Sequence, residues 1–150
     1  MGFCGNARRT VAGMTDRLTA MSVDRVEQIY SSKTSSCQIM EADTEQGRIL
    51  AVEKNKRFFP LNSCYDAKKA SKEWAEQFDR EDINDNSTII VYGLSDGRSI
   101  LELCRKRSNC RVIIYEPCQE IFWKAMEYEE VAQIAENENA VSYTHLRAHE

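Results

Sequence analysis

Histidine is almost missing from this chain of 150 residues: both copies, His145 and His149, fall within the last ten. The stretch before them has no imidazole, which excludes histidine-based triads and histidine-ligated metal from it. Proline occurs twice and glycine six times, so collagen-like and low-complexity architectures are excluded. No apolar run approaches the roughly 18 residues that cross a bilayer, so no membrane association is expected. The six cysteines (Cys4, Cys37, Cys64, Cys104, Cys110, Cys118) contain no Cys-x-x-Cys pair, and no metal is expected at such spacings. Arg8 and Arg9 are not followed by an apolar stretch, so no secretory signal is expected. The thiols are expected to be reduced, in a cytoplasm. The start, Met1-Gly2-Phe3-Cys4-Gly5-Asn6, has Asn6 where a myristoylation site has Ser or Thr. A formal net charge of −4 and a pI near 5.3 give no electrostatic footprint for nucleic acid.

What is present is ordinary for one globular domain: 42% hydrophobic and 29% charged residues. The end of the chain is not ordinary. Val141-Ser142-Tyr143-Thr144-His145-Leu146-Arg147-Ala148-His149-Glu150 matches, residue for residue, a translation of the transposase adapter used in sequencing-library preparation. Residues 140–150 are therefore expected to be adapter-derived rather than native, and the native frame is expected to depart at about Asn139. The His145-x-x-x-His149 spacing, which on a helix would suit a metal, is set aside with them. Residues 1–36 read as an N-terminal helix and linker, and residues 37–139 as an incomplete α/β domain.

Thr15–Tyr30 has a helical period, with Thr15 able to cap it and Leu18, Met21, Val26, Ile29 and Tyr30 on roughly one face. Ser31–Ser36 is a polar linker. Cys37–Ala42 is a strand candidate followed by a turn at Asp43–Gly47, and Arg48–Glu53 with Arg57–Leu61 reads as a hairpin around Lys54-Asn55-Lys56. Asp66–Phe78 is a helix with Asp66 as its cap and Ala67, Ala70, Trp74 and Phe78 as its apolar stripe. Asp79–Ser87 is an acidic, solvated loop. Thr88-Ile89-Ile90-Val91-Tyr92 is apolar throughout, as in a strand covered on both faces. A Gly93–Gly97 turn, a helix over Arg98–Arg107, a second buried strand at Arg111–Tyr115 and a helix over Cys118–Tyr128 follow. The order predicts an α/β fold: a short β-hairpin region, then an incomplete Rossmann-like βαβα unit. Two parallel strands do not complete a sheet, and the others are expected beyond Asn139.

A glycine turn between a buried strand and a helix can bring backbone amides to a phosphate or carboxylate, and an acid ending the next strand can hold a ribose hydroxyl. Gly93, Ser95, Asp96, Gly97 and Glu116 stand at those places. Of these, Gly93, Ser95, Gly97 and Glu116 are the candidate ligand-binding residues. They resemble the S-adenosylmethionine motif of class I methyltransferases, although the spacing here is G-x-x-x-G. In the alternative reading both glycines only serve a tight turn, and Glu116 caps the helix after Pro117. Asp66 and Glu73 read as a cap and a solvated face, Trp74 and Trp123 as core, and Lys68-Lys69 and Arg105-Lys106-Arg107 as exposed helix faces.

The order of these segments resembles a known family. Leu61-Asn62-Ser63-Cys64-Tyr65-Asp66-Ala67-Lys68-Lys69-Ala70, then Trp74-Ala75, is similar to the "LHSKYDPxxEAxRWA" segment of bacterial motility accessory factor (Maf) glycosyltransferases. Tyr92–Gly97 resembles that family's "FGxGxGYH" turn. Val112–Pro117 with Glu120-Ile121-Phe122 and Ala125 resembles its "IxVxEPxxExFxxAL". The likeness spans about Gln38 to Tyr128. It departs at Asn62, where the family has His, at Ala67 for Pro, and at Ser95 and Asp96, the latter placing a negative charge where a phosphate would approach. The resemblance implies a cytoplasmic transferase that attaches a nonulosonic acid from a CMP-sugar to Ser or Thr of flagellin. Its catalytic region is a central domain similar to hydroxymethylpterin diphosphokinases, which follows the part seen here. The resemblance therefore implies no catalytic residue and no cofactor in this chain, and flagellin or another protein acceptor as partner. Two alternatives are an S-adenosylmethionine-binding methyltransferase-like domain and a non-catalytic protein-interaction platform.

Overall fold

The computed structural model describes residues 38–45 and 47–144, with side chains as far as Ala140. The expected helix at Thr15–Tyr30 and its linker lie outside these residues. The chain begins with an antiparallel sheet of order β1-β2-β3, with β1 at Gln38–Thr44, β2 at Gly47–Lys54 and β3 at Arg57–Pro60. Gln38 pairs with Glu53 and Thr44 with Gly47 across the first hairpin; Ala51 pairs with Pro60 and Lys54 with Arg57 across the second. The second hairpin closes through Asn55-Lys56, whose φ values of 53° and 60° belong to the mirror-image turns that match strand twist. Strand β1 runs two residues past the expected Ala42, because Gly47, at φ 107°, makes the reversal tighter than the composition of Asp43–Gly47 indicated.

Helix α1 spans Ala67–Glu76, and the Asp66 carboxylate accepts from the Lys69 N–H at 2.8 Å, as an N-cap should. An α/β unit follows: β4 (Thr88–Tyr92), α2 (Arg98–Lys106), β5 (Arg111–Glu116), α3 (Gln119–Ala125), α4 (Glu129–Glu136) and β6 (Ala140–Thr144). Its sheet is parallel, of order β4-β5-β6, with Thr88 beside Arg111 and Val112 beside Ala140. The parallel sheet thus has three strands, not the expected two. The third is built largely from the adapter-like stretch. Backbone pairing is tolerant of sequence, and Val, Tyr and Thr suit an extended chain.

One core joins both sheets. Leu50 belongs to the same cluster as Ile89, Val91, Val112 and Ile114 from the parallel sheet, Leu101 and Leu103 from α2, Phe122 and Trp123 from α3, and Val131 and Ile134 from α4. The buried helix residues expected from periodicity, Ile100, Leu101, Leu103 and Cys104, are all inward.

Three expectations require correction. Strand β4 is covered on one face only: Ile89 and Val91 are buried, but Ile90 and Tyr92 are 73% and 75% exposed. An unbroken apolar run looks the same whether one face or two are covered, and here the helices all feed the cluster on the Ile89–Val91 side. The Cys118–Tyr128 helix stops at Ala125 and a new one begins at Glu129. No Gly or Pro breaks it. Tyr128 is instead held extended (φ −86°, ψ 137°) while its hydroxyl donates to Glu41 at 3.3 Å, a tertiary contact that outweighs helix propensity. Finally, Arg107 is not a free surface charge: its guanidinium donates from Nε to the Phe78 carbonyl at 3.0 Å and anchors the loop after α1.

Candidate functional site

The turn after β4 places Gly93, Ser95 and Gly97 in left-handed backbone, with φ of 100°, 52° and 81°. Gly97 is also a packing requirement, because a Cβ there would lie 2.5 Å from Cγ2 of Val131 on α4. At Gly93 the space is open, with nothing within 4 Å of a built Cβ. The two glycines therefore serve different ends: Gly93 the turn, Gly97 the close approach of α2 and α4.

The first two backbone donors of this turn are spent inside the fold. The Gly93 N–H donates to the Tyr115 carbonyl at 2.8 Å. The Leu94 N–H donates to the Glu116 carboxylate at 2.7 Å, and the Cys118 N–H donates to its other oxygen at 2.8 Å. Glu116 is only 3% exposed. Its carboxylate ties the end of β5 to the turn after β4 and caps the entry to α3, where Cys118 is the N-cap. The Ser95 hydroxyl donates to the Leu61 carbonyl at 3.0 Å.

Asp96, 1% exposed, is the centre of a second cluster. It accepts from the Arg98 guanidinium at 2.6 Å, from the Arg98 backbone N–H at 3.1 Å and from the Asn62 amide at 3.1 Å. Arg98 in turn donates to the Arg48 carbonyl at 2.8 Å, lies 3.4 Å from Glu130 and sits 5.9 Å from the ring centre of Tyr128. Burial, followed by the charge of Glu41, pushes the Tyr128 phenol well above its ordinary range. Asn62 also accepts from the Ser63 N–H at 2.7 Å, and the Ser63 hydroxyl accepts from the Asp66 N–H at 3.1 Å. The segment between β3 and α1 is thus bound to the turn after β4.

Gly93, Ser95, Gly97 and Glu116 are brought to neighbouring strand ends, but their contacts are within the fold: to β5, to the entry of α3, to Val131 of α4 and to the Leu61 carbonyl just after β3. They do not line the cavity between the helices. That cavity, about 780 Å³, is lined by Lys68, Lys69, Ser71 and Lys72 of α1, by Arg98, Glu102 and Arg105 of α2, and by Glu129, Glu130 and Gln133 of α4, among others. Its charges are mixed and partly paired: Arg105 lies 2.9 Å from Glu102 and Lys69 lies 3.7 Å from Glu73. Asp66 is a cap and Glu73 is exposed, as their positions suggested.

Sequence reasoning missed Asn62, Arg98 and the Leu61 carbonyl. The signal available was the polar pair Asn62-Ser63 ahead of a helix cap and a cation immediately after Gly97, which reads equally well as an ordinary helix start. Among the described residues no group of three or more His, Cys, Asp or Glu is placed to hold a metal ion, and no helix is long and apolar enough to cross a membrane. Cys104 and Cys110 are buried, Cys118 is half-buried and Cys64 is exposed, all as free thiols. Comparison with models of known protein families gives no match to this chain, and comparison with characterised proteins gives none either.

Proposed function

We propose that this chain is the non-catalytic N-terminal platform of a Maf-type flagellin glycosyltransferase, built on a Rossmann-like unit whose ligand positions have been turned to structural use. The observation that supports the platform reading is the double hydrogen bond from Leu94 and Cys118 to the buried Glu116. A ribose-binding acid must present its carboxylate to a ligand; this one is 3% exposed and has each oxygen engaged by the chain's own backbone. Asp96, in the same turn, is likewise turned inward, with its carboxylate held by Arg98 and Asn62. The ordered motifs from Leu61 to Ala125 support the family. In this reading the platform is cytoplasmic, the parent enzyme transfers a nonulosonic acid from a CMP-sugar to flagellin, and the chemistry belongs to a central domain outside this chain.

The test is to sequence the source DNA across codon 139 by a method that uses no transposase adapter. The reading expects the frame to continue into further βα units and a central transferase domain. Continuation into methyltransferase-like strands, or the return of Val141–Glu150 followed by a stop, overturns it.

A further inference from the structure

Helices α1 and α4 each pack against α2, and all three line the cavity of about 780 Å³. Its walls differ in charge. The α1 wall carries Lys68, Lys69 and Lys72, and the wall of α2 and α4 carries Glu102, Glu129 and Glu130. The three glutamates have partners on their own side. Glu102 lies 2.9 Å from Arg105, Glu130 lies 3.4 Å from Arg98, and Glu129 accepts from the Gln133 amide at 3.2 Å. On the α1 wall Lys69 lies 3.7 Å from Glu73, whereas Lys68 and Lys72 make no ion pair among the described residues. Their placement is unfavourable for the helix. The first turn of α1 holds no acid, and cations there oppose the helix dipole. Like charges four residues apart also repel along one helix face.

Ser71 shares that face with both lysines and lines the same cavity, although it is only 1% exposed. Its hydroxyl accepts from the Asn62 amide at 3.4 Å and from the Ser99 hydroxyl at 3.3 Å. Both bonds are long, and the Ser71 hydrogen itself has no acceptor among the described residues. A buried donor left without an acceptor is costly.

We propose that this cavity binds a small phosphate monoester, its charge held by Lys68 and Lys72 and one of its oxygens accepting from Ser71. A phosphate monoester carries about two negative charges and three acceptor oxygens near neutral pH. Two unpaired ammonium groups and one unspent hydroxyl complement that group, and lysine serves phosphate as a point charge. The volume lies within the roughly 300–1,000 Å³ of small-molecule sites and is more than a phosphate fills. The rest of the ligand therefore extends toward the opposite wall, where the carboxylates of Glu102 and Glu129 can accept from hydroxyls. The ligand class is a phosphorylated sugar or polyol. The inference stands on the cavity and its charges, independently of the proposed function.

The experiment titrates glucose 6-phosphate into the isotopically labelled full chain, with inorganic phosphate and glucose in parallel, following amide resonances and the thermal midpoint. The expected result is saturable shifts centred on residues 68–72 with glucose 6-phosphate, weaker binding of phosphate and none of glucose. The ester should also raise the thermal midpoint. Lys68→Gln combined with Lys72→Gln should weaken binding by about tenfold or more, and raise the midpoint of the ligand-free chain by removing the repulsion along α1. Ser71→Ala should weaken binding by a smaller factor. No saturable shift with either phosphate compound, or unchanged binding in the double variant, overturns the proposal. Glucose binding as tightly as its phosphate overturns it too, and phosphate binding as tightly as the ester would leave an adventitious ion only. A lower ligand-free midpoint in the double variant would show that the lysines are already satisfied within the chain, and would equally contradict it.

Discussion

The Glu116 carboxylate, at the end of β5, accepts the backbone N–H of Leu94, in the turn after β4, at 2.7 Å. The two positions lie where a nucleotide-binding fold would divide the labour of holding ribose and phosphate. Here each satisfies the other. In the proposed reading, that exchange leaves the strand-end acid and the glycine turn without a nucleotide to hold.

The pair is expected to matter for stability. Hydrogen bonds to a charged acceptor contribute about 1.5–3 kcal/mol, and an unsatisfied buried donor adds its own desolvation cost. Glu116→Ala orphans the Leu94 and Cys118 N–H groups, so denaturant unfolding should show a loss of about 3 kcal/mol. A loss under about 0.5 kcal/mol, the range of ordinary surface changes, would mean these bonds are not formed.

The two turn glycines should respond differently to alanine. Both have positive φ, which costs a non-glycine residue about 1–3 kcal/mol. Only Gly97→Ala also drives a methyl to 2.5 Å from Val131. Gly97→Ala should therefore be the more destabilising, and Val131→Ala should recover part of that excess in a double-mutant cycle while leaving Gly93→Ala unrelieved.

Arg98 pairs with Asp96 where water has little access, with the two side chains 17% and 1% exposed. Removing one partner of a buried ion pair costs about 3–5 kcal/mol, because the other charge is left alone. Arg98→Met should fall in that range in an equilibrium unfolding measurement, and Asp96→Asn in the Arg98→Met background should restore stability.

Burial pushes the Cys104 thiol up to about 11 from an ordinary 9.0. The native state keeps its proton where the unfolded chain has released it. The resulting stability is complete below about pH 9 and is lost as pH rises to about 11, at no more than about 1.4 kcal/mol per pH unit. Unfolding free energy measured between those limits should fall by roughly 2 kcal/mol more for the natural chain than for Cys104→Val. Parallel curves for the two would contradict the shift.

Most of the frame was legible in the residues themselves. Asp66, Ala67 and the stripe after them specify a capped helix locally. Asn55-Lys56 specifies a tight reversal, and Arg111–Glu116 a strand. The coverage of β4 was not legible, because Ile90 and Tyr92 have the composition of buried residues and differ from Ile89 and Val91 only in which side the helices take. Nor was the break at Tyr128, whose cause is Glu41, a residue 87 positions away. The βα pattern was enough to place the candidate residues at neighbouring strand ends. Their partners, Leu61 and Asn62, lie 34 positions earlier in sequence and are set by packing of the antiparallel sheet, which no local pattern reports.

The central claim, that the residues at the strand ends are occupied by one another, is tested most directly by amide chemical shifts. Titrating S-adenosylmethionine, and separately CMP, into the isotopically labelled chain should leave the Leu94, Ser95 and Cys118 amide resonances unmoved at millimolar ligand. Saturable shifts confined to those amides would show that the turn opens to a nucleotide, and would contradict the account.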